Sequence, residues 1–182
     1  MSAFLDENSK LVTVSATDRL PVLSKLDPAS ASTQGALSGT LVKVWITCPA
    51  VAAKFSSVQI FNPVGSGVNL LIIGLAGYNT STSIKWYQHL TSNKLSTAGG
   101  YQSVMKTGTA APPIEMYYQN LDSKTATNAT GVTVSATTPV GGSLQTTGEN
   151  ICITEGYGLH YEADVANIGL TLTSFLIASP NT

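Results

Sequence analysis

Charge is what this sequence has least of. Of its 182 residues, 10% are Asp, Glu, Lys or Arg, against about 25% in an ordinary globular chain. Arginine occurs once, at Arg19, and the eight lysines stand singly at positions 10, 25, 43, 54, 85, 94, 106 and 124. A phosphate-binding surface needs Lys and Arg in clusters, so this distribution excludes nucleic acid as an expected partner. Histidine is limited to His89 and His160, and cysteine to Cys48 and Cys152. Long apolar runs are missing too. Val68–Ala76 is interrupted and falls well short of the roughly 20 residues a membrane helix requires, so no membrane partner is expected. The opening residues, MSAFLDENSK, carry no basic region followed by an apolar stretch, and synthesis in a cytoplasm is the expectation. Both cysteines are then expected to be reduced, buried thiols.

What remains is 43% hydrophobic, about a quarter Ser and Thr, and carries a net charge of −1. That is enough apolar material for a sizeable core. Thr, Val and Ser without many Glu, Lys or Arg favour strands and turns over surface helices. A free monomer usually keeps more charge on its surface, so a nearly neutral, Ser/Thr-rich exterior points to a protein that lives within an assembly.

Along the chain, residues 1–39 differ from the rest. They hold Pro21, Pro28, a Ser/Ala-rich run and the only arginine, and just Leu11–Ser15 has a strand pattern. This stretch is expected to be an extended N-terminal arm, ordered by a partner. From residue 40 to 182 strand signals recur. Leu41–Cys48 alternates, with Val42, Val44 and Ile46 on one face and Lys43, Trp45 and Thr47 on the other. Val58–Phe61 is a strand, Asn62–Gly67 a Pro/Gly turn, and Val68–Ala76 a strand expected to be buried on both faces. Ser83–Leu90, Ile114–Leu121, Gly131–Ala136, Asn150–Thr154, Leu159–Ala163 and Ile168–Ile177 follow. Breaks are expected at Ala98–Gly100 and Gly108–Pro113, turns at Gly141–Gly142 and Thr146–Gly148, and one short helix at Ala50–Phe55. Eight to ten closely spaced strands predict an all-β fold, an antiparallel β-sandwich of jelly-roll type with an extended N-terminal arm.

Chemistry-bearing residues are sparse. Gly65-Ser66-Gly67 follows Asn-Pro and suits a hairpin turn, not a nucleophile elbow. His160-Tyr161-Glu162 sets a histidine and a carboxylate on one side of a strand, with Glu155 or Asp164 near in sequence. A metal site would normally ask for further histidines, so exposed polar residues on a sheet face are expected instead. Glu115 beside Tyr117 and Tyr118, or Glu155 beside Tyr157, lacks any spacing that marks a glycosidase pair. No enzyme activity, metal or cofactor is expected. The tyrosines and tryptophans are the more informative set, because amphipathic aromatics on a sheet mark interfaces or sugar platforms.

The turn Val58-Gln-Ile-Phe-Asn-Pro-Val-Gly-Ser-Gly67, the strand opening Gly148-Glu149-Asn150-Ile151, and the segment Ala163–Thr173 resemble small structural proteins of tailed-phage virions. The similarity covers about half the chain. It implies a β-sandwich or jelly roll that decorates a head, neck or tail, and hence a location in the virion. The leading expectation is a capsid decoration (cement) protein that binds across shell subunits, where attachment at several points multiplies its hold. A neck, tail or fibre adaptor and a carbohydrate-binding module are the alternatives. Expected partners are further copies of the chain, as a trimer, and the major capsid protein or another virion protein. Candidate contact residues are Leu11, Val12, Val14 and Arg19 in the arm, and Trp45, Tyr117 and Tyr157 in the body.

Overall fold

Strand alternation decides which side chains meet in this chain. In a computed structural model, residues 2–5, 11–14, 35–36, 38–79, 84–124, 133–138 and 143–181 are described. The strands are β1 (Ser2–Leu5), β2 (Leu11–Val14), β3 (Leu41–Cys48), β4 (Phe55–Asn62), β5 (Val68–Asn79), β6 (Ile84–Thr91), β7 (Thr97–Ala98), β8 (Tyr101–Val104), β9 (Glu115–Leu121), β10 (Thr133–Thr138), β11 (Ser143–Ile153), β12 (Tyr157–Ala166) and β13 (Leu170–Pro180). The fold is an all-β antiparallel sandwich. One sheet has the order β10-β6-β12-β4-β9-β7, the other β11-β5-β13-β3-β8. The chain changes sheet at each step from β3 to β6, and again at each step from β10 to β13, so early and late strands interleave in both layers.

The core lies between the layers. Val44, Ile46, Leu70, Ile72, Leu172 and Leu176 point inward from the five-stranded sheet, and Val58, Ile60, Trp86, Leu159, Tyr161 and Ala163 from the six-stranded one. Each large apolar side chain buried in this way contributes about 1.5–3 kcal/mol. Trp86 is the bulkiest. It meets the edge of Tyr161 at 6.5 Å and is admitted because Gly77 stands opposite. A Cβ at Gly77 would fall 2.9 Å from the indole.

Several expectations change. Val68–Ala76 is not buried on both faces. Leu70 and Ile72 are buried while Leu71 and Ile73 are half-buried. Ile73 is then the extra residue of a bulge, since Phe175 pairs with Gly74 and Leu176 with Ile72. The bulge shifts the phase so that Leu75 and Gly77 face inward. Thr146–Gly148 is not a turn but lies inside β11, where the register slips between Thr147 and Ile151. Ala50–Phe55 is not helical: a short turn with Ala53 at φ 59° leads into β4. The strands β1, β7 and β8 were not expected. β1 and β2 pair only with each other among the described residues, in a two-stranded sheet. Most of the expected arm, Arg19 included, lies outside the described residues, as does Gly141–Gly142. Cys48 is a buried free thiol, but Cys152 is exposed, contrary to expectation.

The Asn62–Gly67 turn is as expected, with both Gly65 (φ 79°) and Gly67 (φ 70°) in the left-handed region. Its clamp comes from far along the chain. The Glu155 carboxylate accepts from the N–H groups of Gly65 (3.2 Å) and Gly67 (2.6 Å) and from Asn181 Nδ2 (2.8 Å). The buried Asn62 amide donates to the carbonyls of Val68 and Ile153.

Candidate functional site

Two outward faces carry the side chains of interest. On the five-stranded sheet, Trp45 of β3 lies directly opposite Tyr101 of β8. Their rings stack at 5.0 Å and 29°, with 38% of Trp45 and 65% of Tyr101 exposed. Next in the same row come Thr173 and Ala76. A second row runs Thr47, Thr171, Tyr78, with the two threonine hydroxyls 3.2 Å apart. A third runs Lys43, Phe175, Gly74, and the Lys43 ammonium lies 5.8 Å from the Phe175 ring. Trp45, Tyr101, Phe175 and Tyr78 are four of the exposed large hydrophobic residues, and they share this face. Lys43 is the one charged side chain in these rows, so the surface is aromatic and hydroxyl-rich. Such a patch can bind through ring contact and threonine hydrogen bonds.

The outer face of the six-stranded sheet is different: much of it is polar, yet buried. A row runs Tyr117, Gln59, His160, His89 across β9, β4, β12 and β6, and beside it Gln119, Ser57, Glu162, Tyr87. His160 is only 5% exposed and Glu162 fully buried, so the expectation of exposed polar residues is corrected. The two histidines, far apart in sequence, are cross-strand partners. His160 Nδ1 lies 3.0 Å from His89 Nε2, with ring centroids 4.5 Å apart. The outer nitrogens, His89 Nδ1 and His160 Nε2, are buried with no hydrogen-bond partner among the described residues. Burial, and then the neighbouring His89, push the His160 pKa down to about 3; burial also lowers that of His89. Both rings are therefore neutral at ordinary pH.

The connection 92–96 lies over this face. Gln59 Nε2 donates to Asn93 O (2.8 Å), Leu95 N–H donates to Gln59 Oε1 (3.0 Å), and Ser96 N–H to Gln119 Oε1 (3.1 Å). Lys94 sits 4.7 Å from the Phe61 ring and 2.6 Å from Glu115. That ion pair raises the Lys94 pKa and lowers that of Glu115.

The expected contact residues are not brought together. Trp45 is on the aromatic face. Tyr117 is on the opposite sheet, donating to Glu115 at 2.7 Å and packed edge-on against Phe61. Tyr157 is 48% exposed at the start of β12, beside the Asn62–Gly67 turn. Leu11, Val12 and Val14 are in β2. Tyr101 and Phe175 were missed: Tyr101 follows Gly99-Gly100, which reads as a break, and only its pairing with Trp45 shows its place. Glu155 clamps the turn, and Asp164 accepts from Lys85 N–H at 2.7 Å, so neither joins His160. No group of three or more His, Cys, Asp or Glu among the described residues could hold a metal ion. No family model matches the chain, and neither the curated proteins nor the solved structures give a match.

Proposed function

We propose that this chain is an adhesive structural protein of a tailed-phage virion, a head decoration protein that oligomerises through its sheet surface and attaches to the shell through its N-terminal arm, without catalysing a reaction. The observation that carries the proposal is the outer face of the five-stranded sheet. Four large exposed hydrophobic residues gather there, and the single charge among them lies over a ring. Buried aromatic anchors supply most of the energy of protein interfaces, and about 2 kcal/mol or more is lost when such an anchor is truncated. Low overall charge lets the surface enter an assembly at little cost in desolvation. The strand order supports a jelly-roll wind, with β3, β13, β5 and β11 as one four-stranded layer and β4, β12, β6 and β10 as the other. The virion assignment draws on the resemblance of the Val58–Gly67, Gly148–Ile151 and Ala163–Thr173 segments.

Locating the protein in purified particles tests this. Multiple copies on the outer surface of the shell are expected. A protein absent from particles would overturn the proposal, and a soluble monomer that retains glycans through Trp45 and Tyr101 would replace it with the carbohydrate-binding reading. The arm is part of the same proposal: deleting residues 1–35 should leave a folded body that no longer occupies shells. Wild-type occupancy would place attachment in the sandwich instead.

A further inference from the structure

Two neutral imidazoles hold two ring protons between them, and a contact of 3.0 Å between His160 Nδ1 and His89 Nε2 uses one of those protons and one lone pair. A first added proton leaves the shared bond intact. A second puts N–H against N–H and destroys it. Either charge has to be carried where His160 is buried and where both outer ring nitrogens lack partners among the described residues.

The surrounding charges do not relieve this. On β12, Glu162 is buried in the adjacent row opposite Ser57 and Tyr87, and Asp164 accepts from Lys85 N–H. On β9, Glu115 is held by Lys94 and Tyr117. β4 offers no charged group on this face, its polar side chains there being Ser57 and Gln59, and β6 adds Lys85 and Tyr87, with Lys124 6.0 Å from the Tyr87 ring. β10 contains no titratable residue. Among the described residues no charged side chain is hydrogen-bonded to either ring, and the 92–96 strap is seated on Gln59 in this same row. In the sheet order β6 and β7 are separated by β12, β4 and β9, so the strap must span three strands. Its anchor in the row is Gln59, the cross-strand partner of His160.

We propose that His89 and His160 form an acid-sensitive latch beneath the 92–96 strap: while the rings are neutral the strap stays seated on Gln59, and protonation of the pair lifts it. The sign follows from linkage. Opening restores the ordinary histidine affinity for protons, so the open form binds more protons than the closed one and gains population as pH falls below about 6.5. The proposal is independent of what the five-stranded sheet binds.

Amide hydrogen exchange on the full chain, at about pH 7 and about pH 4.5 and corrected for intrinsic rates, tests it. Leu95 and Ser96 amides should lose protection by roughly tenfold or more at the lower pH while β3 and β13 keep theirs. His89→Gln should suppress that loss. Imidazole titration of the wild-type chain by NMR provides a reading that needs no variant, with His160 expected to stay neutral well below the ordinary range. Unchanged exchange at Leu95 and Ser96 would overturn the latch. So would simultaneous loss of protection across β3 and β13, which means global acid unfolding, or two histidines that titrate near the ordinary value.

Discussion

Glu155 shows how much a single side chain can fix. Its carboxylate gathers the N–H groups of Gly65 and Gly67 and the Asn181 amide, tying a turn to the residue that follows β13. The turn itself was legible in the sequence, because Asn62-Pro63 and two glycines permit little else. Its clamp was not, since nothing local relates residue 155 to residue 65. Gly67→Val should destabilise by about 1–2 kcal/mol, the cost of a β-branched residue in the left-handed region. Ser66→Ala should cost less, because its hydroxyl makes only long bonds of 3.2–3.4 Å. Chemical denaturation compares them, and equal small effects would contradict the backbone argument. The histidines add a pH dependence. Both have folded pKa values below the ordinary 6.5, so between that value and about 3 the unfolded chain binds the extra protons. Stability should rise with pH through this window, by up to about 1.4 kcal/mol per pH unit for each proton. Denaturation midpoints measured across it should fall on acidification in wild type and fall less in His89→Gln.

Elements with a full period-2 pattern were readable because burial enforces the alternation: Val42, Val44 and Ile46 of β3 all point into the core. What failed was whatever depends on a partner strand. β8 is four residues after two glycines and is defined by pairing with β3. Thr146–Gly148 has turn composition, yet β5 draws it into a ladder with a bulge. The histidine pair is of the same kind, since only the β12–β6 register sets residue 160 against residue 89. Between layers, the Trp86 indole of β6 closes directly on Gly77 of β5. Gly77→Ala would drive a methyl against the Trp86 indole, and overpacking of this kind costs about 1–3 kcal/mol. A thermal midpoint within error of wild type would mean that the two sheets separate easily to admit it.

For the molecule as a whole, the two sheets present opposite faces of unlike character. One buries a polar histidine row under a strap. The other leaves Trp45, Tyr101, Phe175 and Tyr78 open. Low charge and Ser/Thr richness pointed to assembly in the sequence alone, and Trp45 was singled out there. The extent of the face could not be read, because it is assembled from β3, β5, β8 and β13, residues 43 to 175. The most direct test of assembly through this face is the mass in solution by light scattering at micromolar concentration, for the wild-type chain and for Trp45→Ser/Tyr101→Ser. The expected result is an oligomer for wild type and a folded monomer for the double variant. A wild-type monomer, or an oligomer indifferent to both substitutions, would contradict it.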